Sequence, residues 1–177
     1  FKTQYLNLKT TDGNCRSSLK FLRSFEEAPT SFDWRENKGV SPVKDQGSCG
    51  SCWAFSTVGL LESQSLIKNQ KALTFSEQEL VDCDDNCDQG CNGGFMQYAL
   101  QYIQKTGGIE SDKDYSYHAT KSACKADKSK ISTTVSNIDC EEGISNEKMQ
   151  SKIATFGPVA IALDATSFQY YSGGVMN

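Results

Sequence analysis

Apolar residues recur at helical spacing in three places along the chain. After Cys52 come Trp53, Ala54, Phe55, Val58 and Leu61, and Gly47 and Gly50 bend the backbone just ahead of them. This pattern predicts a buried helix opened by Cys52 and running to about Asn69. Met96, Ala99, Leu100 and Ile103 predict a second helix between Phe95 and Thr106, ended by Gly107-Gly108. Met149, Ile153 and Phe156 predict a third, capped by Asn146 and closed by Gly157. Ser76-Glu77-Gln78-Glu79 has the form of a capping box, with Ser76 and Glu79 satisfying orphan N–H groups of a short helix through Leu80-Val81 that ends near Cys83. Pro158 then starts the run Val159 to Leu163, which predicts an apolar strand.

Phe1 to about Thr30 breaks these patterns: charged and polar residues interleave with isolated aromatics, and Thr10-Thr11-Asp12-Gly13-Asn14 is rich in turn formers. On the residues alone it reads as a flexible leader. The 177 residues suit one large domain or two small ones sharing an interface. Net charge is −4 with no basic cluster, which argues against a nucleic-acid partner and against an anionic membrane. The longest apolar run, around Val159–Leu163, is too short to span a bilayer. The chain opens on Phe1 and not methionine, so it is expected to begin inside a longer precursor or after a cleavage. Eight cysteines suit an oxidising location, a lysosome, a vacuole or the exterior, better than a reducing cytosol.

The chemistry concentrates at Cys49-Gly50-Ser51-Cys52-Trp53. A thiol at a helix N-terminus faces unpaired N–H groups and the positive end of the helix dipole, so its pKa is expected to fall and its thiolate to act as a nucleophile. An attacked carbonyl becomes an oxyanion that needs fixed donors; the Cys52 N–H is one, and Gln46 is placed to supply another. A thioredoxin-like C-x-x-C site would follow a strand and stand apart from other disulfides. Zinc would need a second ligand pair, and the chain has one histidine. The second informative run is Gly90-Cys91-Asn92-Gly93-Gly94, where adjacent glycines let backbone approach a ligand closely, although most such pairs are simple turns.

Together these two runs closely resemble the papain-family cysteine peptidases, whose nucleophile pattern C-G-[SA]-C-[WY] fits residues 49–53. The resemblance implies an α+β papain-like fold: a mainly helical domain over residues 31–140, the incomplete start of a β-rich, barrel-like second domain over 141–177, and the tail of an inhibitory pro-segment over 1–30, ahead of Pro29-Thr30-Ser31-Phe32-Asp33-Trp34-Arg35. It implies Cys52 as nucleophile, the Gln46 amide as oxyanion donor and Trp53 in the apolar wall beside the catalytic pair. Gly93 and Gly94 become a strip on which an extended peptide substrate pairs, and Phe95, Met96 and Ala162 the pocket for the substrate side chain two positions before the cut. A small Ala162 leaves that pocket deep and predicts a preference for bulky apolar side chains. The resemblance also implies disulfides Cys49–Cys91 and Cys83–Cys124. Cys87 and Cys140 are extra and are expected to pair with each other, while Cys15 is either free or bonded to another chain. Glu62 and Glu77 match positions where carboxylates are buried near each other, whereas taken alone either reads as a solvated charge.

No metal or organic cofactor is implied. His118 follows a tyrosine-rich loop, Tyr115-Ser116-Tyr117, that the resemblance places away from the cleft, so it is not assigned as the base. The family's His and Asn lie some 130–150 residues beyond the nucleophile. They are expected in a C-terminal portion or partner chain outside this sequence, and the chain alone is expected to be inactive. Two functions follow: a cysteine endopeptidase acting on peptide or protein substrates, or a catalytically inactive scaffold with a structural or binding role.

Overall fold

A computed structural model describes residues 28–174. Most of the leader, with Cys15, therefore lies outside the described residues.

The longest element is α1, Cys52–Asn69. Polar as well as apolar side chains are buried along it, Thr57, Glu62, Ser63 and Ser65 among them, because other elements cover it on several sides. Buried hydroxyls find partners within the chain: Thr57 Oγ1 donates to the Trp53 carbonyl at 2.8 Å. The short helix α2, Glu77–Cys83, begins at Ser76, whose hydroxyl accepts the Glu79 N–H at 2.9 Å. Only half of the predicted box forms. The Glu79 carboxylate turns away from the cap to accept the Glu110 N–H at 2.7 Å and the Tyr102 hydroxyl. Helix α3, Met96–Thr106, stops at Gly107, whose φ of 94° is a left-handed conformation open to glycine at little cost. These three helices and Ile109 close over one core of Trp53, Ala54, Val58, Phe75, Leu80, Val81, Ala99 and Ile103.

A two-stranded antiparallel ladder joins β1, Ile109–Glu110, to β2, Ile131–Thr133. The last helix, α4, spans Asn146–Phe156. Its cap is Ser145 and not Asn146: the Ser145 hydroxyl accepts the Lys148 N–H, and Asn146 is already helical. Helix α4 is held to α1 by Gln64, which donates to the Phe156 carbonyl at 2.9 Å, and to the segment after Pro29 by Trp34, whose indole N–H donates to the Ile153 carbonyl at 2.7 Å.

Val159–Leu163 does not form the predicted strand. It joins no ladder, and Val159, Ile161 and Leu163 are exposed. A strand's N–H and C=O groups need a neighbour, and none of the described residues supplies one. A 3₁₀ turn at Thr166–Tyr170 follows.

Lys44, Glu62 and Glu77 form a buried ion cluster. The Lys44 ammonium binds both carboxylates, Ser41 Oγ donates to Glu62 Oε2 at 2.6 Å, and the Phe75 N–H also reaches Glu62. Both acids are almost wholly buried, so neither is the solvated charge that its sequence context suggests in isolation.

Candidate active site

Cys52 is the first residue of α1 and carries a free, half-buried thiol. Two local features leave the first-turn N–H groups available to its sulfur. Ser51, the N-cap residue, makes no side-chain cap bond, and the first turn carries no acidic residue. The N–H groups of Trp53 and Cys52 accordingly point at the sulfur. The Ser51 hydroxyl is engaged elsewhere, 2.7 Å from the Tyr117 phenol, which itself donates to the Gln46 carbonyl at 2.7 Å. Because the phenol has one proton, Ser51 is the donor to Tyr117.

The thiol nevertheless differs from the expectation of a lowered pKa. Burial pushes it above its ordinary value, and the two N–H groups only partly offset that effect. A helix end supplies fractional charge, whereas taking a thiolate out of water costs more unless a full cation stands beside it. No histidine acts on this sulfur. His118 is exposed, and its backbone N–H donates to Gln78 Oε1 at 2.9 Å.

Gln46 Nε2 donates to the Cys49 carbonyl at 2.8 Å, which fixes the amide beside the nucleophile loop and leaves its second N–H unassigned. The loop is fastened to the glycine run by the Cys49–Cys91 disulfide, by Gly50 N–H donating to the Cys91 carbonyl at 3.0 Å, and by the Trp53 indole N–H donating to the Gly90 carbonyl at 3.0 Å. Trp53 is 0 % exposed. Its ring is the floor under the strip and no wall that a ligand could touch, which corrects its assignment to substrate binding. Gly94 lies so close above that a Cβ there would stand 2.6 Å from the indole and 2.6 Å from Asp88 Oδ1. Gly93 and Gly94 themselves are buried, Phe95 is buried edge-on against Tyr98, and Met96 is half-buried against the core. Ala162 is exposed in the irregular segment after Pro158. Two cavities flank the nucleophile loop, of about 310 Å³ between Pro42, Phe55, Leu60 and Val159 and about 190 Å³ between Lys44, Glu77 and Tyr117. Neither is lined by Met96 or Ala162.

A second disulfide joins Cys83 to Cys124. The expected Cys87–Cys140 bridge is absent: Cys87 is an exposed free thiol, and Cys140 is engaged in a different disulfide. Cys87 sits at φ 72° in a tight acidic loop. Among the described residues no group of three or more His, Cys, Asp or Glu is arranged to hold a metal ion, and no helix is long and apolar enough to cross a membrane.

Tyr117 is the site residue that sequence reasoning missed. Its loop was expected away from the cleft, yet its hydroxyl bridges Gln46 and Ser51, and its ring packs edge-on against Phe55. Tyr117→Phe should lower stability by about 1–2 kcal/mol, since it orphans a buried hydroxyl and a carbonyl. It should also move the pH midpoint of Cys52 alkylation upward, because the released Ser51 hydroxyl can then compete with the sulfur for first-turn N–H groups. Urea titration and pH-dependent alkylation check the two effects, and an unchanged midpoint would contradict the second.

Comparison with known proteins places these features in a family. The sequence model described as "Papain family cysteine protease" matches residues 28–177. Cysteine protease XCP2 of Arabidopsis thaliana is 43% identical over 183 residues, covering 100% of this chain and 51% of that protein. Cathepsin L of Sarcophaga peregrina is 48% identical over 153 residues, covering 84% of this chain and 45% of its own length. Among solved structures, the digestive procathepsin L2 proteinase from Tenebrio molitor larval midgut superposes with a TM-score of 0.84 at 43% identity, covering 88% of this chain and 50% of that one. The chain thus spans about half the length of the relatives it matches.

Proposed function

The chain belongs to the papain family of cysteine proteases and has its α+β fold, and on that premise we propose that it supplies the nucleophile half of a cysteine endopeptidase. The observation that carries this reading is the free Cys52 thiol at the start of α1, faced by two N–H groups and tied through Cys49–Cys91 to the glycine strip.

An extended peptide would pair with the Gly93–Gly94 backbone, presenting a carbonyl carbon to Cys52 Sγ. As the S–C bond forms, the thiol proton passes to the general base, the carbonyl electron pair moves to oxygen, and the oxyanion is held by the Cys52 N–H and the Gln46 amide. Collapse of that intermediate breaks the C–N bond and leaves a thioester on Cys52, which water then hydrolyses. The departing amine needs that proton back, and among the described residues no acid stands beside the sulfur, so the group that takes the thiol proton and returns it to the amine is assigned to residues outside this sequence. Met96, with Ala162, is the proposed pocket wall for an apolar side chain two positions before the cut.

The start of the family match at residue 28 supports reading the residues ahead of about Thr30 as the tail of an inhibitory pro-segment. It also supports 31–140 as the helical domain and 141–177 as the opening of a second. Three disulfide-bonded cysteine sets support a lysosome, vacuole or the exterior as the working location.

The raised thiol supplies the test. Alkylation of Cys52 in the 177-residue chain should reach half its maximal rate only in the alkaline range. In a longer protein that carries this segment with an imidazole facing Cys52, the midpoint should fall by several pH units. Equal midpoints in the two proteins would reject the assignment.

A further inference from the structure

Cys140 is disulfide-bonded, and no other described cysteine is left to be its partner. Cys49 is bonded to Cys91 and Cys83 to Cys124, while Cys52 and Cys87 carry free thiols. The chain has eight cysteines, and the one that remains is Cys15, in the leader.

The segment that carries Cys140 is fixed to the body on both sides of the sulfur. Asp139, the residue before it, accepts from the Lys152 ammonium at 2.6 Å. Glu141, the residue after it, meets Lys152 at 3.0 Å and Lys148 at 2.9 Å. Lys152 is 7 % exposed, so these pairs are screened less than pairs on an open surface. The chain that follows the leader reaches the same helix: the Trp34 indole N–H donates to the carbonyl of Ile153, the next residue of α4. Adjacent residues of α4 thus hold the Cys140 segment and the point where the leader joins the body. The stretch 16–33 can span on the order of 60 Å when extended, against roughly 16 Å for the whole of α4. A bond from Cys15 to Cys140 therefore requires no rearrangement of the described residues.

We propose that Cys15 is the partner of Cys140, and that their bridge is a covalent clip that keeps the leader on the body after the peptide chain between them is cut. The retention role rests on the reading of the leader as an inhibitory pro-segment; the identity of the bridge does not. A single cut within 16–33 leaves two pieces joined through sulfur. A tethered leader meets the body at an effective concentration of about millimolar, so it stays in place even where its own contacts are weak. Its release needs a second chemical event, which a dithiol reductant supplies. One thiolate of the reductant attacks a bridge sulfur and expels the other cysteine as a thiolate; its second thiol then closes on the first. Two electrons and two protons end on Cys15 and Cys140, which become thiols, and the reductant becomes a disulfide. Removal of the leader then depends on both hydrolysis and reduction.

Tryptic mapping without reduction, after free thiols are blocked in acid, tests the bridge in the 177-residue chain. The peptide of residues 10–16 should be found joined to that of residues 131–148, and reduction should separate them. Residues 10–16 recovered with a blocked thiol, or residues 131–148 joined to the same peptide of a second copy, would overturn the assignment. The retention role is read from the rate at which a peptidyl thiol reagent labels Cys52 in a chain cut once, at a protease site inserted between Glu27 and Ala28. The cut wild type should keep the slow rate of the uncut chain. Cys140→Ser, which sheds its leader on cutting, should label about 100-fold faster. Equally fast labelling of the cut wild type and the cut variant overturns the retention role. Equal rates in the uncut chain and in the variant freed of its leader count instead against the pro-segment reading. The wild-type mapping still decides the bridge in that case, and also if the variant fails to fold.

Discussion

Replacing Lys44 by methionine should cost the fold about 3 kcal/mol at neutral pH, read as a shift of the urea midpoint at unchanged slope. Among the described residues the ammonium is the one cation bonded to Glu62 and Glu77, which are 0 % and 2 % exposed. Methionine keeps much of the stem's volume, so the loss is electrostatic and not a cavity. The lower end of the range for breaking a buried pair applies because the Lys44 side chain is 28% exposed and water screens it in part. The two ends of this cluster respond differently. Burial pulls the Lys44 ammonium down, but bonds from two carboxylates outweigh that and hold it above its ordinary value. Burial pushes the Glu77 carboxyl up, and its share of one cation does not fully reverse this. Two acids serve one base, so the base gains more than Glu77 does.

A pH dependence follows. In the methionine variant Glu77 loses its cation, and its carboxyl, already raised by burial, moves further above its unfolded value. Such groups favour the folded state in acid and oppose it as pH rises. The gap between variant and wild type should therefore narrow at pH 4 and widen at pH 7. A gap independent of pH would mean that Lys44 contributes packing and not charge.

Removing the Cys49–Cys91 bridge, as Cys49→Ala with Cys91→Ala, should lower stability by about 4 kcal/mol on the chain-entropy account for its separation of 42 residues. The Cys83–Cys124 bridge closes a loop of nearly the same length, with a separation of 41, and provides a matched control. Both double variants should lose similar stability, since loop length enters only logarithmically. Their effect on the site should differ. The first bridge is what fastens the Cys52 loop to the glycine strip, so its loss should remove most of the preference of Cys52 for a peptidyl reagent over a small one. Loss of the second should leave that preference standing at any temperature where the chain remains folded. Equal loss of preference in both variants would show that general loosening, and not registration of the two walls, is responsible.

The nucleophile helix was legible because its signal is local: two glycines, then an apolar run at one spacing from Cys52 onward. The same holds for the Ser76 cap and for the glycine that ends α3. What the sequence could not show depends on packing between distant segments. Spacing puts Trp53 on the buried side of a helix but cannot say whether its ring meets a ligand or a glycine; Gly94 decides that, 41 positions later. The bond of Tyr117 to Gln46 and Ser51 spans 66 residues or more and has no local signature. A capping-box Glu79 was equally free to cap its helix or to meet the Glu110 N–H from β1, and the buried strand end won. The thiol pKa failed for a different reason. Reading a helix N-terminus predicts the favourable N–H groups, while the burial that outweighs them is a property of the assembled fold. The apolar run at Val159–Leu163 has strand composition but no neighbour among the described residues to complete a ladder.

The central claim is that Cys52 is positioned as a nucleophile by its helix and by the strip it is tied to, and peptide mapping after competitive labelling tests it directly. The chain offers two free thiols among its described residues, the half-buried Cys52 and the exposed Cys87. Exposure alone favours Cys87, and iodoacetamide should label it first. A peptidyl epoxide with an apolar residue at the second position from the warhead should reverse that order and place its adduct on Cys52. Labelling of Cys87 ahead of Cys52 by both reagents would contradict the account.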